Sequence, residues 1–455
     1  MIDATHPLLT RNTDKAASEE DGNPIFCQHL SDLNETQNVV LSEDIRDEDG
    51  TVLLKKGENL TERRAQMIVK HRLVKPIEQC IQLEKTYGPN QLFKFMKRMR
   101  ASVPTLHKAL NNEMFDAALK SMCSYYNKFP LLKQNITVLA IRLPAIYNNS
   151  VFTALAALAI ARQMKLDQKE QRVVFMAALL HDCGFLYLPP HLANKTHNFS
   201  AEEWHCLMAH PIVAKRFLDS VPDLPKEVGN AVLDHHERTD GTGYPSQKFG
   251  DSLSRASQII AIADDMVTAF HAYKQYGDYT HRMILSALKL NDKLHFEQVY
   301  KATATLFRNN KANDKPNGSA PEQASAPLLL ERHKAMQPKF ETMRTLARQL
   351  IAQTKHPLNR SIASMLGRLA MSIVRAGIMQ EEHETWLTGV VESTSPEDLD
   401  QLLETSVMYD QVDAQLKHLN NLLSRVLDDM PADLQALRES SLNTLQSLHA
   451  STDAQ

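Results

Sequence analysis

Four short stretches of this sequence carry residue types that bind divalent metals. In QRVVFMAALLHDCG, His181 falls seven residues after Val174 and four after Ala177. A helix there would turn the imidazole inward along an apolar stripe, with Asp182 about 100° round the axis. His210 precedes Pro211, which disfavours helix at 210 and favours a new helix from 211, so His210 is expected at a break between helices. Val228, Ala231 or Val232, and His235 share one face, and His236 follows directly. In SRASQIIAIADDMVTAF, Asp264 lies four residues after Ile260 and three before Val267, again on an apolar stripe. Burying an adjacent His and Asp is costly unless something pairs with them. A divalent transition metal would, because neutral imidazole and carboxylate are both its ligands. Each residue also has a plainer reading: a satisfied His–Asp pair near a helix end, His210 as a cap, His235 and His236 complementing a helix dipole, Asp264 as a buried acceptor. Jointly the plainer readings require several independent coincidences.

The elements that would position these residues are helical. Beyond Tyr87 the apolar residues recur at i, i+3 and i+4, and capping-box-like starts appear at Asp167 with Glu170 and at Ser200 with Glu203. Upstream, residues 37–85 read as a small strand-containing module, with β-branched runs on either side of Asp49-Gly50, a hairpin signal, and Thr61 as a helix cap. Residues 1–36 are polar and aperiodic and are expected to form a mobile tail. Residues 86–129 read as a helical connector, and 309–327, rich in Asn, Lys, Gly, Ser, Ala and Pro, as a flexible linker. In 328–455, Leu402, Tyr409, Val412, Leu416, Leu419, Leu423 and Val426 follow alternating spacings of three and four. Fewer than four heptads favour an intramolecular bundle over a coiled-coil homodimer there.

Composition sets outer bounds. The 455 residues carry 51 Lys+Arg against 54 Asp+Glu, a net charge of -3. That balance gives no global basic footprint, so no nucleic-acid partner is expected. Five scattered cysteines without a C-x-x-C pair, and no secretory signal at the amino terminus, point to a reducing cytoplasm. The apolar run 151–161 is short of the roughly 20 residues a membrane span needs.

HDCG at 181–184, LPPHLANKTHNFSAEEWHCLMAHP at 188–211, HHERTDGTGYP at 235–245 and IIAIADD at 259–265 resemble, in order and spacing, the HD-GYP domain family over about residues 130–308. The resemblance implies a mainly α fold: an all-helical metal-dependent phosphohydrolase domain, preceded here by the strand-containing module and followed by a helical bundle. It implies a centre of two divalent ions, iron or manganese, and a cyclic dinucleotide, cyclic di-GMP, as substrate. His181, Asp182, His210, His235, His236 and Asp264 match its ligand positions, with Asp182 matching the carboxylate that bridges two metals and so the principal catalytic residue. Gly243, Tyr244 and Pro245 match the GYP motif as candidate substrate contacts, although a purely structural role for that loop is at least as well supported.

The pattern is also broken. The lysine that usually follows the HD-x-G motif is Phe185, the position of a metal-binding histidine is Asn149, and a frequent second aspartate is Val267. Asn149 is a poorer partner than imidazole for iron or manganese, so one of the two sites is expected to be weak. Lys195 matches a second family lysine but is no evident substitute for the cation lost at Phe185. Two readings therefore stand: a phosphodiesterase, slowed by these losses, and a non-catalytic signalling protein that binds nucleotide, metal or, through its carboxy-terminal helices, a protein partner.

Overall fold

A computed structural model describes residues 23–195, 200–308, 324–392 and 398–453. The chain divides into two compact units, one formed by the described residues up to His236 together with Ser254–Val267, the other by Glu237–Leu253 and the described residues from Thr268 onward.

The first unit begins with a helix where a tail was expected. In α1 (Pro24–Leu33) the Asn23 side chain accepts from the amides of Ile25 and Phe26, and Pro24 opens the helix. Phe26, Cys27, Leu30 and Leu33 are buried on one face, a helical stripe that the polar average over 36 residues conceals. Residues 1–22 of the expected tail lie outside the described residues.

The small module follows, with β1 (Val39–Leu41), β2 (Ile45–Arg46), β3 (Val52–Leu54), α2 (Glu62–Ile68), α3 (Ile77–Cys80) and β4 (Ile81–Leu83). β2 and β3 pair antiparallel across the expected turn, where Gly50 has φ +79° and Asp47 accepts from Thr51 N at 2.8 Å. β1 pairs with β4 rather than with its neighbour in sequence, Val39 opposite Leu83. Thr61 precedes α2 but its side chain makes no capping bond.

Helices then dominate: α4 (Pro89–Ser102), α5 (Pro104–Leu110), α6 (Glu113–Tyr126), α7 (Pro130–Arg142), α8 (Pro144–Gln163), α9 (Gln168–Leu180), α10 (Pro190–Asn194), α11 (Ala201–Met208), α12 (His210–Asp219), α13 (Lys226–Leu233) and α14 (Arg255–Tyr273). Five of these start with proline, which lacks only a donor that the first turn leaves unbonded. α8 is long and apolar enough to cross a membrane by length and composition alone, yet most of it is buried inside this unit. It packs on α9, whose start is the capping box expected at Asp167: Glu170 N donates to Asp167 at 2.8 Å and Asp167 N to Glu170 at 3.1 Å. Ser200 and Glu203 form the second box, at α11. The helices of the expected connector, α4 to α6, belong to this unit, with α4 packed on α8.

The second unit contains α15 (Thr280–Leu290), α16 (Glu297–Arg308), α17 (Ala326–Gln353), α18 (Asn359–Ala376), α19 (Glu381–Glu392), α20 (Asp398–Asp428) and α21 (Gln435–Asp453). α20 packs on α15, α17 and α18, and the seven residues of its expected seam are all buried, so the apolar stripe is used within the unit. The two compact units are not divided at the borders expected at 308 and 327: 237–253 and 268–308 group with the carboxy-terminal helices. Of the expected linker, residues 309–323 lie outside the described residues and α17 already starts at Ala326.

Because the box at Asp167 satisfies two end groups of the helix that carries His181, Asp167→Ala is expected to lower the stability of the first unit by about 1 kcal/mol. Urea denaturation followed by circular dichroism would show this as a lower midpoint at unchanged slope.

Candidate metal centre

The six sequence-selected ligands are delivered by the ends or faces of helices at four places in the chain, all within the first unit. His181 closes α9, and Asp182 heads the 3-10 turn Cys183–Tyr187. His210 is the first residue of α12, one residue after α11 is capped by Ala209. The expected break is present, although the helix begins at His210 itself rather than at Pro211. His235 and His236 follow the end of α13, and Asp264 lies on α14.

The structure brings these side chains together. Asp182, His210, His235 and His236 each offer a ligand atom within 4.8 Å of the others. Asp182 Oδ1 lies 3.3 Å from His210 Nε2 and 3.8 Å from His235 Nε2, and those two nitrogens are 3.4 Å apart. Its other oxygen, Oδ2, lies 3.2 Å from His181 Nε2, which is also 3.6 Å from Asp264 Oδ1. One carboxylate therefore faces two donor groups, His210, His235 and His236 in one and His181 with Asp264 in the other.

The fit to metal can be tested on the histidines' far nitrogens. His181, His210 and His235 direct Nδ1 at the carbonyls of Ala178, Leu207 and Val232, at 2.9, 2.7 and 2.6 Å. A carbonyl only accepts, so each Nδ1 carries a proton and Nε2 is the ring atom turned inward, toward a ligand. This is the orientation in which outer hydrogen bonds hold metal-binding imidazoles. Donor separations near 3.3 Å are those expected of ligands sharing an ion at about 2.1 Å. The donor set of imidazoles and carboxylates suits a divalent transition metal.

Electrostatics agree. Burial pushes the Asp182 carboxyl up, but His181 and His210 outweigh it and hold it well below the usual carboxylate range. Burial pushes His181 down, yet Asp182 and Asp264 hold its imidazole well above its ordinary value. His235 goes the other way, lowered first by burial and then by His181 and His210. A proton on His181 thus does part of what a cation would do.

Gly184, the fourth residue of HDCG, is there for close approach. A Cβ on it would meet the His210 carbonyl oxygen at 2.1 Å, so the turn after Asp182 and the start of α12 touch backbone to backbone.

The departures also have structural answers. Phe185 is 8% exposed, and its ring stacks on His210 with centroids 4.6 Å apart and planes 24° apart. Lys195 is engaged by Glu203 at 2.6 Å, consistent with its not replacing the lost cation. Asn149 is half-buried on α8, and Val267 is buried.

Gly243, Tyr244 and Pro245 belong to the second unit, in the loop 237–253. Glu237, which sequence reasoning missed, organises this loop together with Asp240 and Gly241 of the same motif. Glu237, fully buried, accepts from Ser246 N at 2.6 Å and Lys248 N at 2.9 Å. Asp240 accepts from the Thr242 amide and hydroxyl at 3.1 and 2.6 Å. Gly241, at φ +75°, lies against the Phe249 ring, where a Cβ would come within 2.5 Å. The only sequence signal for these was the acid directly after the double histidine and the Asp-Gly turn that follows.

Residues 133–298 match the HD domain family. The chain is 32% identical over 119 residues to the cyclic di-GMP phosphodiesterase response regulator RpfG of Xanthomonas campestris pv. campestris, covering 26% of this chain and 32% of that protein. It is 30% identical over 132 residues to the 3'3'-cGAMP-specific phosphodiesterase 1 of Vibrio cholerae, covering 28% of each. It therefore spans about a third of the length of these relatives. Bd1817, an HDG"Y"P protein from Bdellovibrio bacteriovorus, superposes with a TM-score of 0.32 at 16% identity, over 60% of this chain and 94% of that one, a likeness too loose to bear on the site.

Two outcomes are expected. Gly184→Ala, by forcing the His210 backbone away, should weaken Mn(II) retention by about tenfold or more, measured by equilibrium dialysis, while far-UV circular dichroism stays unchanged. Since His181 holds its proton more tightly than a free imidazole, metal uptake should release protons, and affinity should fall with decreasing pH by up to about tenfold per unit; calorimetry in buffers of different ionisation enthalpy would count the protons.

Proposed function

We propose, from the match of residues 133–298 to the HD domain family, that the protein is a metal-dependent phosphodiesterase of HD-GYP type that hydrolyses a cyclic dinucleotide, with cyclic di-GMP as its substrate. The observation that carries this reading is the Asp182 carboxylate with ligand-type groups on both of its oxygens, His210 and His235 on one and His181 on the other. Two divalent ions, iron or manganese, would be held by His210, His235 and His236 and by His181 and Asp264, with Asp182 common to both. Such a pair, when bound, supplies a water deprotonated at neutral pH and neutralises charge on the phosphodiester oxygens.

The protein's own groups prepare the centre. The carbonyls of Ala178, Leu207 and Val232 fix the imidazole tautomers. Burial keeps His235 neutral and its lone pair available. Gly243, Tyr244 and Pro245 are assigned to substrate contact, on a loop whose backbone is braced by Glu237 and Asp240. The named activities of the relatives favour cyclic di-GMP, with 3'3'-cGAMP as the competing substrate.

One observation favours a second reading, a non-catalytic protein that binds metal or nucleotide. Phe185 puts an apolar ring against His210 where the family places a cation. In that case the carboxy-terminal helices would serve a protein partner, and Met371 and Val374 on α18 are exposed apolar side chains suited to it.

Protein reconstituted anaerobically with Fe(II) or Mn(II) is expected to turn over cyclic di-GMP faster than 3'3'-cGAMP. Asp182→Ala should lower the rate more than about a hundredfold, as loss of a principal electrostatic group does. Phe185→Lys should raise kcat about tenfold by restoring a charge-assisted bond to phosphate. A metal-loaded parent and Phe185→Lys variant that both leave the dinucleotides intact would sink the enzyme reading.

A further inference from the structure

The short 3-10 stretch that Asp182 heads, Cys183–Tyr187, is held at both ends by other parts of the first unit. At the near end Gly184 lies against the His210 backbone and Phe185 on the His210 ring. At the far end stands Tyr187, 6% exposed, whose ring stacks on that of Phe26 with centroids 4.9 Å apart and planes 13° apart. Phe26 belongs to α1, and the residue that caps this helix adds a second contact. Asn23 accepts from the amides of Ile25 and Phe26 through Oδ1, and donates through Nδ2 to Tyr187 O at 3.3 Å. α1 and α7 both pack on the 3-10 stretch. They are also fixed to each other, since Arg142 at the end of α7 donates to His29 Nδ1 at 3.4 Å and pairs with Asp32.

The contribution of Tyr187 lies in its ring. Its hydroxyl is buried beside the Glu78 carboxyl and the Asn135 amide, yet neither hydroxyl nor amide closes a hydrogen bond of good geometry. A buried hydroxyl left unbonded is a cost rather than a support. The ring, by contrast, buries its face on Phe26 and its edge towards Phe217, 6.2 Å away between centroids. Five residues of 3-10 helix are about 10 Å long. A piece of that length held only at the His210 contact is free to tilt and to swing Asp182 with it, whereas a ligand set works only when held to within about 0.5 Å. Resting on the metal-centre reading above, we propose that Tyr187 is a positioning residue of that centre: stacked on Phe26, it lets α1 hold the far end of the 3-10 stretch and so fixes where the Asp182 carboxylate stands between its two donor groups. α1 also packs on β1 and α2, so the small strand-containing module is joined to Asp182 through the same stack.

The test is Mn(II) affinity of the full chain by equilibrium dialysis, with amide hydrogen exchange over 183–187 in the metal-free protein and melting temperature measured alongside. Tyr187→Ala and Phe26→Ala are each expected to weaken Mn(II) binding about tenfold, as loss of an outer support of a ligand does, and to speed exchange in the 3-10 stretch. Tyr187→Phe, which keeps the stacked ring and discards only the hydroxyl, should bind Mn(II) like the parent. Should the alanine variants fail to fold, Asn23→Asp decides. It keeps the oxygen that caps α1 but loses the donor to Tyr187 O, and should weaken binding about two- to threefold, the scale of one modest hydrogen bond. Alanine variants that melt lower yet bind Mn(II) like the parent would make Tyr187 a structural residue and overturn the proposal, as would an Asn23→Asp variant of unchanged affinity where the alanine variants do not fold. A Tyr187→Phe variant as weak as Tyr187→Ala would overturn it too, because the stack would then not be what positions Asp182. No nucleotide enters this measurement, so a parent that holds Mn(II) but hydrolyses nothing defeats only the phosphodiesterase reading, whereas a parent that retains no Mn(II) defeats both.

Discussion

The buried Asp182 carboxylate is the constraint on which the first unit is organised. A charge in that position is tolerated only if it is paired and hydrogen-bonded, and the pairing is done by histidines from three places in the chain, His181, His210 and His235. For those rings to meet, α9 must end at His181, α12 must begin at His210, and α13 must stop just short of His235. Helix ends are therefore as much a part of the centre as its ligands. Pro211 in the first turn of α12 and the glycine beside the His210 carbonyl set where those ends fall.

The same requirement explains why the rings are tethered from behind. Three imidazoles bonded through Nδ1 to the carbonyl three residues earlier cannot swap tautomer without breaking that bond. The electrostatic order within the set follows from which neighbours each ring has. His181 sees two carboxylates and gains a proton, while His235 is lowered by burial and by two other imidazoles. A cation placed among them reverses the first without disturbing the second, because His235 is already in the form a metal requires.

Much of this was legible in the sequence because it depends on local signals. The apolar spacing around His181 and Asp264, the His210-Pro211 break and the two capping boxes each act over three or four residues, and each lies where the spacing places it. What escaped the sequence was of two kinds. α1 was hidden by averaging, since four buried apolar side chains within ten residues are diluted by the polar residues around them. The bond from Arg368 to the loop 237–253 was hidden by distance: Arg368 is 128 positions from Asp240, to which it donates, on a helix whose stripe gives no sign that one arginine turns inward. For the same reason the unit boundaries at 236, 253 and 267 could not be read, because they cut through a continuous run of family motifs rather than through a polar linker.

Phe185 separates two properties that usually travel together. Ligand groups are retained on both oxygens of Asp182, so affinity for metal needs no lysine at position 185. A lysine there would act on the substrate phosphate, as a point charge whose attraction is large only in a site from which water is excluded. The phenyl ring instead lies flat on His210, where its area excludes water and limits the tilt of the imidazole without offering a donor. The substitution thus leaves the metal-binding side of the site apolar and ordered while removing a favourable term from the anion-binding side. A centre altered in this way would keep ligand groups on both oxygens of Asp182, with the site that has Asn149 in place of a histidine the weaker of the two, and would stabilise the charge of a phosphoryl transition state less well, so that on the phosphodiesterase reading both changes slow turnover.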